Sequence, residues 1–181
     1  MSLLFKENSS TGSELVSTAE VKNFIKVDSD LTEDDTLIDD LVVSARLFVE
    51  GYMNQSTISY NVTVRFEDKD FRNSRLFLKY RANPTGFALT RVYEGTSSTV
   101  ATTVYEINEF ENCIQLKYGQ EWPDAEYFEA TYDSVVITKK DVKITMLNHI
   151  YMDYEYRKGG KEMQFGKIRA ALSKHRIWMY K

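Results

Sequence analysis

The sequence predicts an α+β fold: a helical bundle, with two N-terminal and two C-terminal helices, interrupted by an antiparallel β insertion. Three observations predict it. Apolar residues recur at helical spacing within residues 17–54 and again within 138–176. Between them, from Ile58 to Asp133, the period changes to two, in short β-branched and aromatic runs. Finally, 181 residues at 43% hydrophobic content supply one core, or one core carrying an insertion. The expected organisation is an arm over residues 1–16, a helical domain over 17–54 and 138–176, a β-strand insertion over 55–137, and an apolar tail over 177–181.

Residues 1–16 are polar, with Ser9, Ser10, Thr11, Gly12 and Ser13 in succession, and read as an arm. Ser17-Thr-Ala-Glu20 has capping-box spacing and opens a short helix with Val21, Phe24 and Ile25 on one face, ending near Val27. Residues 28–35 then supply a second cap, read as Thr32, and carboxylates that oppose the positive end of the next helix dipole. Leu37, Ile38, Leu41, Val42, Ala45, Phe48 and Val49 follow at helical spacing, and Gly51 reads as the stop, with a frayed turn through Asn54.

Strands are expected over 59–66, 76–80, 88–93, 102–107, 113–118 and 128–132. The separating turns lie at 68–73, 83–86, 95–98, 108–112 and 120–124. Helix returns at Thr138, with Asp141 at the third position. Val142, Met146, His149 or Ile150, and Asp153 or Tyr154 share its face, and it runs to about Arg157. Lys158-Gly-Gly-Lys161 breaks it, and Phe165, Ile168, Ala171 and Leu172 mark a last short helix. There is no internal repeat.

Composition excludes several classes. No apolar run approaches the ~20 residues of a bilayer span. The first residues lack the apolar stretch and cleavage site of a secretory signal. One cysteine, Cys113, cannot form an internal disulfide, and with two histidines it leaves too few ligands for a His/Cys zinc cage. Asp28, Asp30, Asp34 and Asp35 invite a calcium reading. Counted from Asp28, however, the sixth position is Glu33 rather than glycine and the twelfth is Asp39 rather than glutamate, so helix capping explains them better. His149 and Asp153, four apart on a helix, could orient a base, but with no nucleophile or second ligand nearby in sequence His149 reads as a satisfied core histidine. Lys158–Lys161 lacks the strand before and the Ser/Thr after that a phosphate loop needs. Cys113 reads as packed and inert. No catalytic residue, metal ligand or cofactor site is expected.

Charge is unevenly placed. Residues 1–50 carry four Lys/Arg against eleven Asp/Glu, a balance of −7, and residues 138–181 carry eleven against four, a balance of +7. These ends can pack within one fold, meet across a subunit boundary head to tail, or offer a basic tail to nucleic acid. The net charge of −4 disfavours strong duplex binding.

The order and local patterns resemble the head–tail connector proteins of tailed bacteriophages, also called adaptor or head-completion proteins. The likeness is carried first by Ser17–Asp28, a capped helix with a hydrophobic–basic–Val–Asp stop. It is carried next by Asp34–Tyr52, an acidic start, amphipathic helix and Val-Glu-Gly-Tyr finish. The third part runs from Trp122-Pro123 through Tyr151, Tyr154, Tyr156 and Arg157 to Ile168–Arg176. Departures are Ser173 at the usual second Leu, His175 at the aromatic position before Arg176, the extension Ile177–Lys181, and the long polar arm.

The resemblance implies a non-enzymatic ring, usually of twelve copies, beneath the portal vertex of a capsid. Such a ring extends the DNA channel and presents a surface to the next neck or tail-completion protein. Its partners would be further copies of this chain, the portal protein, that next protein and genomic DNA passing without sequence-specific contact. It would be made in the host cytoplasm and reside in the virion neck, with no membrane involved. Arg176, Ile177, Trp178, Met179 and Tyr180 are the candidates for gripping the portal or a neighbouring subunit, because an aromatic cluster at a chain end buries its area when a groove is supplied. Asp39, Asp40, Arg46, Lys167 and Arg169 are the subunit-interface candidates. The alternative is a β-rich binding or fibre-anchoring virion protein, mounted by its helices.

Overall fold

Ser17 opens the first helix in the computed structural model, which describes residues 4–67, 75–157 and 165–177. Its hydroxyl accepts the Glu20 amide at 3.3 Å while the Glu20 carboxylate accepts the Ser17 amide at 3.0 Å, so the capping box closes. Helix α1 (Thr18–Ile25) ends at Lys26, whose φ of 61° turns the chain left-handed. Helix α2 (Asp35–Met53) begins three residues after Thr32 and continues through Gly51. Asn54, at φ 53°, stops it instead, because a short polar side chain tolerates the left-handed turn that ends a helix. Helix α3 (Lys140–Arg157) and helix α4 (Phe165–Leu172) complete the set, and a 3₁₀ turn (Ser173–His175) follows α4. The cap expected at Thr138 lies two residues before α3, where Asp141 takes the Val142 amide at 3.0 Å. The expected breaker Lys158–Lys161 lies outside the described residues.

These helices form one compact unit, Gly12–Met53 with Val136–Arg176. Its core is the apolar stripe of each helix: Val21 and Ile25; Ile38, Val42, Ala45, Val49 and Met53; Val142, Met146, Ile150 and Tyr154; Ile168 and Leu172. On α3 the four residues recur every fourth position and face the other helices, which is why a sequence of low overall amphipathicity still buries one face.

The second unit is built on Asn54–Val135 together with strand β1 (Leu4–Thr11). Its strands are β2 (Ser59–Glu67), β3 (Arg75–Phe77), β4 (Ala88–Tyr93), β5 (Thr96–Thr99), β6 (Tyr105–Asn108), β7 (Cys113–Leu116) and β8 (Tyr127–Asp133). A five-stranded sheet runs β1-β2-β8-β4-β5 and a three-stranded sheet β3-β7-β6, with every pairing antiparallel. Alternate residues point inward: Tyr60, Val62, Val64 and Phe66 from β2, and Phe128, Ala130 and Tyr132 from β8. Leu76 and Ile114 from the smaller sheet join the same core.

The α+β class and the two-plus-two helices interrupted by antiparallel strands are as the sequence predicts. Local differences have local reasons. The expected arm contains β1, hidden from pattern reading because every residue of that strand is exposed and no alternation is required. The expected turn 95–98 holds β5 instead. The reversal is the two-residue loop Glu94-Gly95, whose φ angles of 49° and 71° are those of a hairpin turn with two left-handed residues. The strand expected over 76–80 ends at Phe77, and Tyr80 takes φ 57°. The strand expected over 102–107 begins at Tyr105. The turn expected over 68–73 lies outside the described residues.

Cys113 is fully buried in β7, and burial, with the Glu111 carboxylate adding to it, pushes its thiol up to about 11. A disulfide exchange reagent at pH 8 should therefore leave the folded chain unmodified and release one equivalent of thiol on unfolding. Fast reaction of the native chain would contradict this packing.

Candidate assembly surfaces

Part of the acidic front of the helical unit is engaged in its own fold. Lys22 is buried, and its ammonium donates to the Ser29 carbonyl at 3.3 Å and the Leu31 carbonyl at 2.8 Å while pairing with Asp35. One side chain thus ties α1, the intervening loop and the first turn of α2. A cavity of about 570 Å³ beside it is lined by Thr18, Asn23, Val27 and Asp35 among others. Asp34 accepts the Tyr154 hydroxyl of α3 at 2.7 Å, and Asp28 accepts the Asp30 amide at 3.2 Å. Among the described residues no three His, Cys, Asp or Glu side chains gather as metal ligands, and no helix is long and apolar enough to cross a membrane. His149 is buried with Nδ1 3.0 Å from Asp153 and its ring 4.7 Å from that of Phe48. Burial pushes the Asp153 carboxyl up, and His149 pulls it the other way.

Two further carboxylates clamp the helices together. The Glu20 carboxyl, bonded by Lys143 of α3 and by the Ser17 amide, is held below its ordinary range. Lys174 and His175, beyond α4, hold the Asp141 carboxyl well below the usual range. A carboxylate with a depressed folded pKa contributes stability that is present above its unfolded pKa, about 4, and is lost as pH falls through the folded value. The denaturation midpoint of the chain should therefore drop below about pH 4. Asp141→Asn should lower the midpoint at pH 7 and flatten its acid dependence. A pH profile unchanged by that substitution would show that the clamp contributes nothing.

The residues singled out for assembly have distinct positions. Asp39 and Asp40 are exposed on α2, Asp39 accepting the Thr18 hydroxyl. Arg46 is half-buried, 3.0 Å from Glu14 and 3.6 Å from the buried Glu50. Lys167 and Arg169 are exposed on α4, the Arg169 guanidinium 5.9 Å from the Phe48 ring. Arg176 is exposed with its guanidinium 5.0 Å over the Tyr52 ring, and Ile177 is half-buried. Trp178, Met179 and Tyr180 lie outside the described residues.

Sequence reasoning missed other surface groups. Val43 and Leu47 project from the outer side of α2, Leu47 at 55% exposure. Phe24 of α1 and Tyr151 of α3 meet edge to face at 6.4 Å, both exposed, with Ile144 also exposed on α3. In the β unit Phe110 and Tyr118 are fully exposed. Phe110 sits on the β6–β7 turn, where the Asn108 carboxamide oxygen accepts the Phe110 and Glu111 amides, each at 3.1 Å. Asn112 anchors the base of that turn. Its side chain donates to the Leu78 carbonyl at 3.0 Å and the Tyr80 carbonyl at 2.6 Å, and accepts the Ala82 amide at 3.3 Å. A turn held this firmly presents its aromatic ring at little ordering cost. The signal in sequence was Phe110 between Glu109 and Glu111, where an apolar residue alone among carboxylates has no core to enter.

No protein-family model matches the chain, and no curated protein does. Solved structures do. A chain from the neck of an empty gene transfer agent (GTA) particle, computed with C6 symmetry, superposes with a TM-score of 0.77 at 15% identity. The match covers 98% of this chain and 97% of that one. A chain from the neck of the native GTA particle, computed with C12 symmetry, gives 0.74 at 16% identity over the same shares. A chain from the virion of the native particle gives 0.74 at 15%. The resemblance to phage connectors is thus borne out at the level of fold: this chain shares, over nearly its full length, the architecture of chains found in the neck of GTA particles.

Proposed function

We propose that the chain is a structural subunit of a virion neck, a ring adaptor of twelve copies that joins the portal vertex to the tail and extends the DNA channel. The observation that supports this reading is the likeness, over 98% of this chain, to chains from GTA necks computed with C6 and C12 symmetry. The side chains agree with it. Glu20, Asp34, Asp35, Asp141, the buried Lys22 and His175 are engaged in holding helices together, whereas the exposed groups include apolar side chains, aromatic tips and opposed charges, the materials of an interface. The mechanism is association: each copy contributes one segment of a collar, its helical unit meeting neighbours and its termini and the Phe110 turn reaching the portal or the next neck protein. No bond is made or broken.

Native mass spectrometry of the chain with its cognate portal tests this. A complex of the portal with about twelve copies is expected. A monomer that ignores the portal at micromolar concentration would count against the reading.

A further inference from the structure

We propose that the outer face of α2 in one copy packs against the outer face of α4 in the next. The inference rests on the ring reading and deepens it by naming the contact. Thr36, Asp40, Val43, Leu47 and Gly51 are all exposed and recur every three or four residues, so they form one stripe down the solvent side of α2. Asp39 flanks its start. The stripe is therefore acidic at one end and carries two exposed apolar side chains, Val43 and Leu47, further along.

Gly51 is the independent clue. It lies inside α2, at helical φ, where glycine weakens a helix relative to alanine. A Cβ added there would meet nothing within 4 Å, so the chain's own packing gives no reason for its absence. A helix from another copy, approaching closely over that point, does.

The complementary surface is on α4. Lys167, Ala170, Ala171 and, in the following turn, Lys174 are exposed at spacings of three and four, opposite the buried Ile168 and Leu172. Ala170 and Ala171 are small, so Val43 and Leu47 can seat there while Lys167 faces Asp40; Lys174 is held by Asp141 of its own chain. The occupant is a second copy rather than nucleic acid, because the α2 stripe is anionic and repels phosphate. The two faces belong to one helical unit and differ from each other, so each contact leaves one of each open until a ring closes. Arg46, bound by Glu14 and Glu50, takes no part.

Sedimentation equilibrium on the full chain, alone and with portal, tests the contact. Leu47→Asp should weaken self-association by at least about thirtyfold while circular dichroism stays native. Gly51→Ala should raise the melting temperature of the dissociated chain yet weaken association. Asp40→Lys and Lys167→Asp should each weaken association, and together restore part of it. Self-association unaltered in Leu47→Asp and Gly51→Ala overturns this contact and leaves the ring standing. Loss of portal binding with self-association intact assigns the face to the portal and also overturns it. A wild-type chain that stays monomeric with and without portal removes the ring reading, and the contact with it.

Discussion

Replacing Asn112 by alanine is expected to destabilise the β unit by about 4 kcal/mol. The substitution leaves the Leu78 and Tyr80 carbonyls and the Ala82 amide without the side-chain partner that now reaches all three. Buried polar groups left unmade cost about 1–3 kcal/mol each, with partial relief where water enters. Asn112 also sits at φ 51°, which an alanine adopts at a cost of roughly 1–2 kcal/mol. Asn112→Gly separates the two effects, since glycine accepts that backbone freely, and about 3 kcal/mol should remain. Guanidinium denaturation followed by Trp122, which packs 5.5 Å from Phe128, reads both variants. A loss below about 1 kcal/mol in the alanine variant would mean that the base of the Phe110 turn is held by something else.

Lys22→Met should cost the helical unit about 3 kcal/mol. Methionine can fill the space of the lysine stem, so packing is largely kept. What disappears is a buried ammonium serving the Ser29 and Leu31 carbonyls and the Asp35 carboxylate. Asp35 retains 38% side-chain exposure and can be rehydrated, which keeps the loss at the lower end for a broken buried pair. For the same reason Asp35→Asn should cost only about 1 kcal/mol. Equal losses in the two variants, read by urea denaturation, would mean that the ion pair rather than the carbonyl ties dominates.

How much of this was legible in the sequence follows from what each element must bury. The Ser17–Glu20 box, α2 and the inward residues of β2 and β8 carry strong local patterns because one face of each meets a core. Strand β1 and strand β5 expose almost everything, so nothing in their composition had to alternate, and both were missed. Gly51 read as a helix end because glycine usually marks one. Asn54 supplied the turn instead.

Candidate surfaces divide in the same way. Charge counting found the acidic and basic ends. It could not tell a carboxylate on the outer stripe, such as Asp40, from one bound within the fold, such as Asp34 to Tyr154. Arg46, an interface candidate by charge, is held by Glu14 and Glu50 of its own chain. Val43 and Leu47 fall outside the apolar run of α2 and Phe110 falls in an expected turn, so their exposure was legible, but nothing in the sequence marked them as contact groups.

The central claim is that copies of this chain close into a symmetric collar on a portal. Electron microscopy of the purified chain mixed with portal, averaged without imposed symmetry, tests it most directly. The account predicts a closed ring of twelve copies seated coaxially on the portal, with helical units adjoining. Particles showing bare portals beside single unassociated chains, at concentrations well above micromolar, would contradict it.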